Sequence, residues 1–268
     1  MNSARCLLTA LTAALCCVVG AVAPAARAVL VSGAPPSVAG QRVVFQADFH
    51  RMTIGAHQVW GWQTAAFASC VTNPGQQKLD HLTRAAAATR DGVLTITARP
   101  RSDRHWDTGL LTTGDSCTSG GSGFLERTGD LVVAHVRLPD GRAGAWPAVW
   151  SWRAGGNEVD LFEWHAGAPH RLEFVNHKRG AANLWSSPLV APGAWLYLGV
   201  RLGADHVTWY VGTTRAGMRA VWHDNRGVGR SFAAYPVISL SVDDGSNYPP
   251  PASAAALAFS MDSFQVYR

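Results

Sequence analysis

Short apolar or alternating runs, each closed by a turn-forming pair, recur along almost the whole of this sequence. They fall at 43–49, 93–98, 131–138, 146–152, 158–164, 171–176, 196–202, 206–211, 235–242 and 262–267, with Asp91-Gly92, Pro139-Asp140-Gly141, Gly155-Gly156 and Asp244-Gly245 among the breaks. Runs of this length and spacing suit strands, and no helical pattern alternates with them. The one stretch that reads as a helix is the Ala-rich segment 79–89. The expectation is therefore an all-β chain, a β-sandwich jelly roll of two packed antiparallel sheets. With 47% hydrophobic and 15% charged residues the chain can bury a sizeable core, which excludes disorder as its main state.

The first 28 residues have Arg5 near the start, an apolar run over 7–23 and the small-residue ending Ala26-Arg27-Ala28. That pattern predicts a secretory signal peptide cleaved after Ala28, hence a secreted protein without a membrane anchor. Residues 29–41, small, uncharged and Pro-containing, read as a short linker, and 42–268 as one domain. Cleavage removes Arg5 and Arg27 but no acid, so the net charge falls from +5 to +3. The remaining basic residues are scattered, Lys78 and Lys178 being the only lysines, which does not point to a nucleic-acid partner. Cys6, Cys16 and Cys17 leave with the signal, and the Cys70 and Cys117 that remain are expected to form a disulfide in an oxidising compartment.

Gly-x-Ser-x-Gly, phosphate-binding Gly-rich and His-Glu-x-x-His motifs are all missing from the sequence, and His165, His170 and His177 fit no common zinc spacing. No cofactor is expected to be required. The informative segment is Asn157-Glu158-Val159-Asp160-Leu161-Phe162-Glu163, in which three acids interrupt an apolar strand. Alternation places Glu158 and Asp160 on one face and Val159 and Leu161 toward the core. Strict continuation would bury Glu163, a costly fate for a carboxylate, whereas one extra residue near Phe162 returns it to the acid face. Glu158 and Glu163 then stand roughly 13 Å apart at Cα. Side chains reaching toward each other would leave roughly 5–6 Å between carboxyls, near the separation of about 5–5.5 Å used by retaining glycosidases. An acidic strand face or a calcium site would show the same residues.

Glu158-Val-Asp-Leu-Phe-Glu163 resembles the bulged Glu-x-Asp-x-x-Glu signature of the family 16 glycoside hydrolases, the laminarinase-like β-jelly-roll endoglycanases of concanavalin A-like fold. The flanks are similar in order. Segment 45–49, the run from Asp91 to Ala98, Leu138-Pro139-Asp140-Gly141, Trp146-Pro147-Ala148-Val149-Trp150 and the closing run from Met261 to Tyr267 all have counterparts, so the resemblance covers 42–268. It implies Glu158 as nucleophile, Asp160 as its helper and Glu163 as general acid/base. It also implies substrate contacts from Trp146, Trp150, His177 and His135, Trp146 as the sugar-stacking indole. His135 stands where the family offers an Arg, Val133 at a usual Glu, Arg201-Leu202 at a frequent Glu-Trp pair and Ser239 at a usual Asn. The function this implies is a secreted, monomeric, retaining endo-β-glycanase acting on β-1,3- or mixed β-1,3/1,4-glucan through a covalent glycosyl-enzyme. A carbohydrate-binding jelly roll without turnover and a transglycosylase using the same site are the other readings, and a structural calcium near Asp262 stays open.

Overall fold

A computed structural model describes residues 33–268. The expected signal peptide and the first residues of the expected linker lie outside the described residues. Two mostly antiparallel sheets make up the body. The ten-stranded sheet runs Arg219–Asp224, Val207–Gly212, Trp195–Leu202, Leu131–Arg137, Leu257–Tyr267, Val93–Pro100, Trp106–Thr108, Asp80–Leu82. To it Val43–Ala47 adds on Leu257–Tyr267 and Ala87–Arg90 on Val93–Pro100. The seven-stranded sheet runs Ala181–Ser186, Arg171–Asn176, Asn157–Glu163, Ala145–Arg153, Ala233–Val242, Leu110–Thr112, with Glu126–Arg127 on Ala233–Val242. The all-β sandwich read from the sequence is the fold observed.

Alternation explains the layering. Ala134, Val136, Leu196, Leu198, Val200, Phe259 and Met261 of the larger sheet face Val149, Val159, Leu161, Leu172, Phe174, Ile238 and Leu240 of the smaller, all of them buried in one cluster. Each of these apart from Ala134 contributes on the order of 1.5–3 kcal/mol. Trp209 is fully buried between the sheets, and its indole Nε1 donates to the Asp160 carbonyl at 2.8 Å. That bond satisfies the indole and ties the acid strand to the opposite sheet.

Segment 79–89 is not a helix. It forms strand Asp80–Leu82, a single 3₁₀ turn Arg84–Ala86 and strand Ala87–Arg90. The reason lies just beyond it: Asp91 and Gly92 both have positive φ, 51° and 77°, and Arg90 pairs with Val93. A two-residue turn of that type imposes a hairpin, and the ladder it closes outweighs the helix preference of alanine. Strands Ala181–Ser186 and Arg219–Asp224 lie in segments with no strand expectation.

The described part of the expected linker is not free. Arg201 donates to the Ser37 carbonyl and to Gln41 Oε1, and Ala220 N donates to the Ala34 carbonyl at 2.9 Å. Residues 33–41 thus lie on the larger sheet's outer side. Immediately after them Arg42 and Arg268 exchange both backbone hydrogen bonds, at 2.9 and 3.0 Å. Cys70 and Cys117 are joined in a disulfide.

His135 is not in the cleft. It sits in Leu131–Arg137, whose Val132, Ala134 and Val136 point to the core, so it faces outward from the larger sheet. There it stacks on Tyr197 at 4.0 Å, lies tilted against Trp195 at 4.7 Å and meets Asp262 Oδ1 at 2.7 Å. The substrate contact expected of His135 is therefore withdrawn. Asp262, considered for calcium, faces that imidazole, and neither group of three metal-capable side chains among the described residues includes it.

Candidate active site

Strand Asn157–Glu163 is the third of six along the smaller sheet and carries the acids on the face turned away from the core. Its pairing with Ala145–Arg153 shifts between Asp160 and Phe162: Asp160 stands opposite Trp150, Phe162 opposite Val149 and Glu163 opposite Ala148. Leu161 and Phe162 both enter the core, at 2% and 0% exposure. This is the extra residue that the clash between alternation and a buried glutamate demanded, and it brings Glu163 back to the face of Glu158 and Asp160.

The three acids line, or lie beneath, a cleft of about 450 Å³. Its floor is Trp146, Trp150 and Trp152 from the neighbouring strand, with Val175 and His177 beyond the acids. The opposite wall is the irregular segment from Ala65 to Lys78. The disulfide holds this wall at Cys70, and backbone bonds between Gly61 and Thr112 (2.7 and 3.0 Å) and from Ala65 N to the Asp115 carbonyl (2.7 Å) pin it further.

His177 Nε2 lies 3.0 Å from Asp160 Oδ2 and 4.0 Å from Glu158 Oε1. The bond to Asp160 lifts the imidazole to about 9, so it is a cation at neutral pH. Burial, then the adjacent Asp160, pushes the Glu158 carboxyl up to about 7, with the His177 and Lys78 cations opposing. Burial and Asp160 push Glu163 further, to about 8. Glu158 is thus the easier of the two to ionise, because it is less deeply buried and lies beside the imidazolium, and Glu163 the better holder of a proton.

Of the expected site residues, Glu158, Asp160, Glu163, Trp146, Trp150 and His177 converge on the cleft, and His135 does not. Trp146 is 8% exposed, with the His165 ring tilted against it at 4.5 Å between ring centres and the Lys78 ammonium over its ring at 4.2 Å. Trp150 is also mostly buried, its Nε1 donating to Ser239 Oγ at 3.1 Å, so Trp152 is the more open indole. Lys78, Gln77, Phe67 and Asn73 escaped the sequence reading because they belong to a wall without periodicity. The rarity of lysine in the chain is the single signal that could have marked Lys78.

No protein-family model matches the chain, and no curated protein matches it in sequence. Solved structures do match. The endo-β-1,3-glucanase of Pyrococcus furiosus superposes with a TM-score of 0.66 at 18% identity over 85% of this chain and 94% of its own. The laminarinase catalytic domain of Thermotoga maritima MSB8 gives 0.66 at 18% over 85% and 98%. SCLam, described as a non-specific endo-β-1,3(4)-glucanase of glycoside hydrolase family 16, gives 0.63 at 17% over 88% and 93%. The chain has the laminarinase-like jelly-roll fold. Within this jelly roll the acid strand occupies the middle of the cleft-bearing sheet, and the wall from Ala65 to Lys78 closes one side of it.

Proposed function

We propose that this chain is an endo-acting β-glucan hydrolase that retains anomeric configuration. One observation carries the reading: the bulge in Asn157–Glu163 brings two carboxyls with raised proton affinity to either side of Asp160, on one face, in an open cleft floored by indoles. In the first step the Glu158 carboxylate attacks the anomeric carbon while Glu163 gives its proton to the departing glycosidic oxygen. A glycosyl ester on Glu158 results. In the second step Glu163, now ionised, takes a proton from water, whose oxygen attacks the same carbon and frees Glu158. Asp160, held by His177, touches neither reacting bond and steers the negative charge of its neighbours. The glycan is a β-1,3- or mixed β-1,3/1,4-glucan, the class named for the fold's solved relatives. The same reading places the working protein outside the cell, where the Cys70–Cys117 bond persists.

The test is release of reducing ends from laminarin and lichenan by the purified chain, with proton NMR of the first product. A β anomer is expected, and an initial α anomer removes Glu158 as nucleophile. Glu158→Ala should lose hydrolysis and, with azide, form the α-glycosyl azide.

A further inference from the structure

Next to the cleft lies a second cavity of about 420 Å³, lined by Gln77, Trp146, Glu163, His165, Arg171, Glu173, Asn247 and Tyr248. Three features of it are not accounted for by the reaction described. Glu163 and Glu173 stand directly opposite each other on paired strands, which brings two carboxyls into the lining of one cavity. His165 is 4% exposed and clamped between Trp146 and Tyr248, with ring centres at 4.5 and 3.9 Å. Its Nδ1 is taken by the buried Asp243 carboxylate at 3.0 Å, which leaves Nε2 as its available nitrogen. An imidazole fixed by a carboxylate on one nitrogen and free on the other is how proteins present histidine to a metal.

The oxygens are equally available. Tyr248 donates to Oε1 of Glu173 and Arg171 lies 3.6 Å from that same atom, so Oε2 is left over. No hydrogen bond is made to the Glu163 carboxyl among the described residues. A ring nitrogen of His165 and one oxygen from each glutamate all lie within 4.8 Å of one another. Donors around zinc, at about 2.0–2.1 Å from the ion, stand roughly 3.3 Å apart, so closure asks for about 1.5 Å at the widest pair. The Glu163 and Glu173 side chains, unlike the clamped imidazole, have the rotamers to supply it.

We infer that Glu163, His165 and Glu173 form a binding site for a divalent transition metal such as zinc, with water completing its shell. This deepens the reading of Glu163 as proton donor: a metal there takes the oxygen that must carry the proton, so the ion is an inhibitor.

Calorimetric titration of the metal-free full chain with zinc chloride tests the site without relying on turnover. One saturable site is expected. Glu173→Gln should weaken it at least about ten-fold with the thermal melt retained, and Asp243→Asn, which removes the carboxylate partner of His165 Nδ1, should cost roughly 10–100-fold. Absence of saturable binding up to about 1 mM zinc overturns the proposal. So does binding that survives Glu173→Gln and disappears in His177→Ala, which would put the ion on Glu158, Asp160 and His177. If the chain binds zinc as expected but hydrolyses no glucan, the metal site stands and the hydrolase reading falls. If it hydrolyses glucan, zinc should inhibit wild type at concentrations that leave Glu173→Gln unaffected.

Discussion

Cutting the Cys70–Cys117 bond should damage the cleft before it damages the body. The two residues are 47 apart in sequence, and closing a loop of that length removes about 4 kcal/mol of chain entropy from the unfolded state. The native side is not relaxed, because Cys70 and Cys117 have φ of 67° and 48° in the left-handed region, which costs on the order of 1–2 kcal/mol per residue. Backbone bonds from Cys70 N to the Phe67 carbonyl and from Thr64 N to the Cys70 carbonyl outlast the disulfide, so about half of that strain is recovered and the net loss in a Cys70→Ala/Cys117→Ala variant should be about 2–3 kcal/mol. For a body of this size that lowers the melting temperature by roughly 4–12 °C. Residues Ala65 to Lys78 line the cleft beside Cys70, whereas the sandwich core holds neither cysteine. Glucan turnover should therefore fall at temperatures where circular dichroism still reports an intact β fold. Scanning calorimetry and activity on the same samples check this. A melting point within about 2 °C of wild type, with turnover unchanged, would refute both the entropy estimate and the placement of this wall.

Two further outcomes follow from the charges in the cleft. The folded state raises Glu163 from 4.5 to about 8, so the penalty for burying its carboxylate is absent below about pH 4.5 and complete above about pH 8. Glu163→Gln should stabilise the chain by about 1–3 kcal/mol at pH 9 and far less at pH 5, after allowance for the cleft's access to water; a gain that is the same at both values contradicts the assignment. Lys78→Ala removes a cation–π contact worth about 0.5–1.5 kcal/mol that a sugar must break to reach Trp146, so KM for laminarin should fall roughly 2–10-fold. A rise in KM would show instead that Lys78 grips the glycan.

Sequence and structure agree where two local rules conflict. In the acid strand, alternation and the cost of a buried glutamate could both be met only by a bulge, so face and register were legible before any fold was known. In segment 79–89 the residues themselves favoured a helix, and the deciding information sat in the Asp91-Gly92 turn that follows. His135 was misplaced for another reason. Alternation in Val132, His135 and Val136 tells that the histidine faces away from the core, but not which of the two sheets owns its strand. The wall of the cleft was illegible because it is held by a disulfide and by scattered backbone bonds, neither of which leaves a periodic trace in sequence.

The backbone pairing of Arg42 with Arg268 means that the path into the sandwich and the path out of it run side by side, on the sheet that does not bear the cleft. Two linkers leaving that spot need span only a few ångströms. The body from Arg42 on can therefore be spliced as a cassette into a surface loop of an unrelated host, or its ends fused and new ones opened at an exposed turn such as Gly155-Gly156, with the cleft left on the free side.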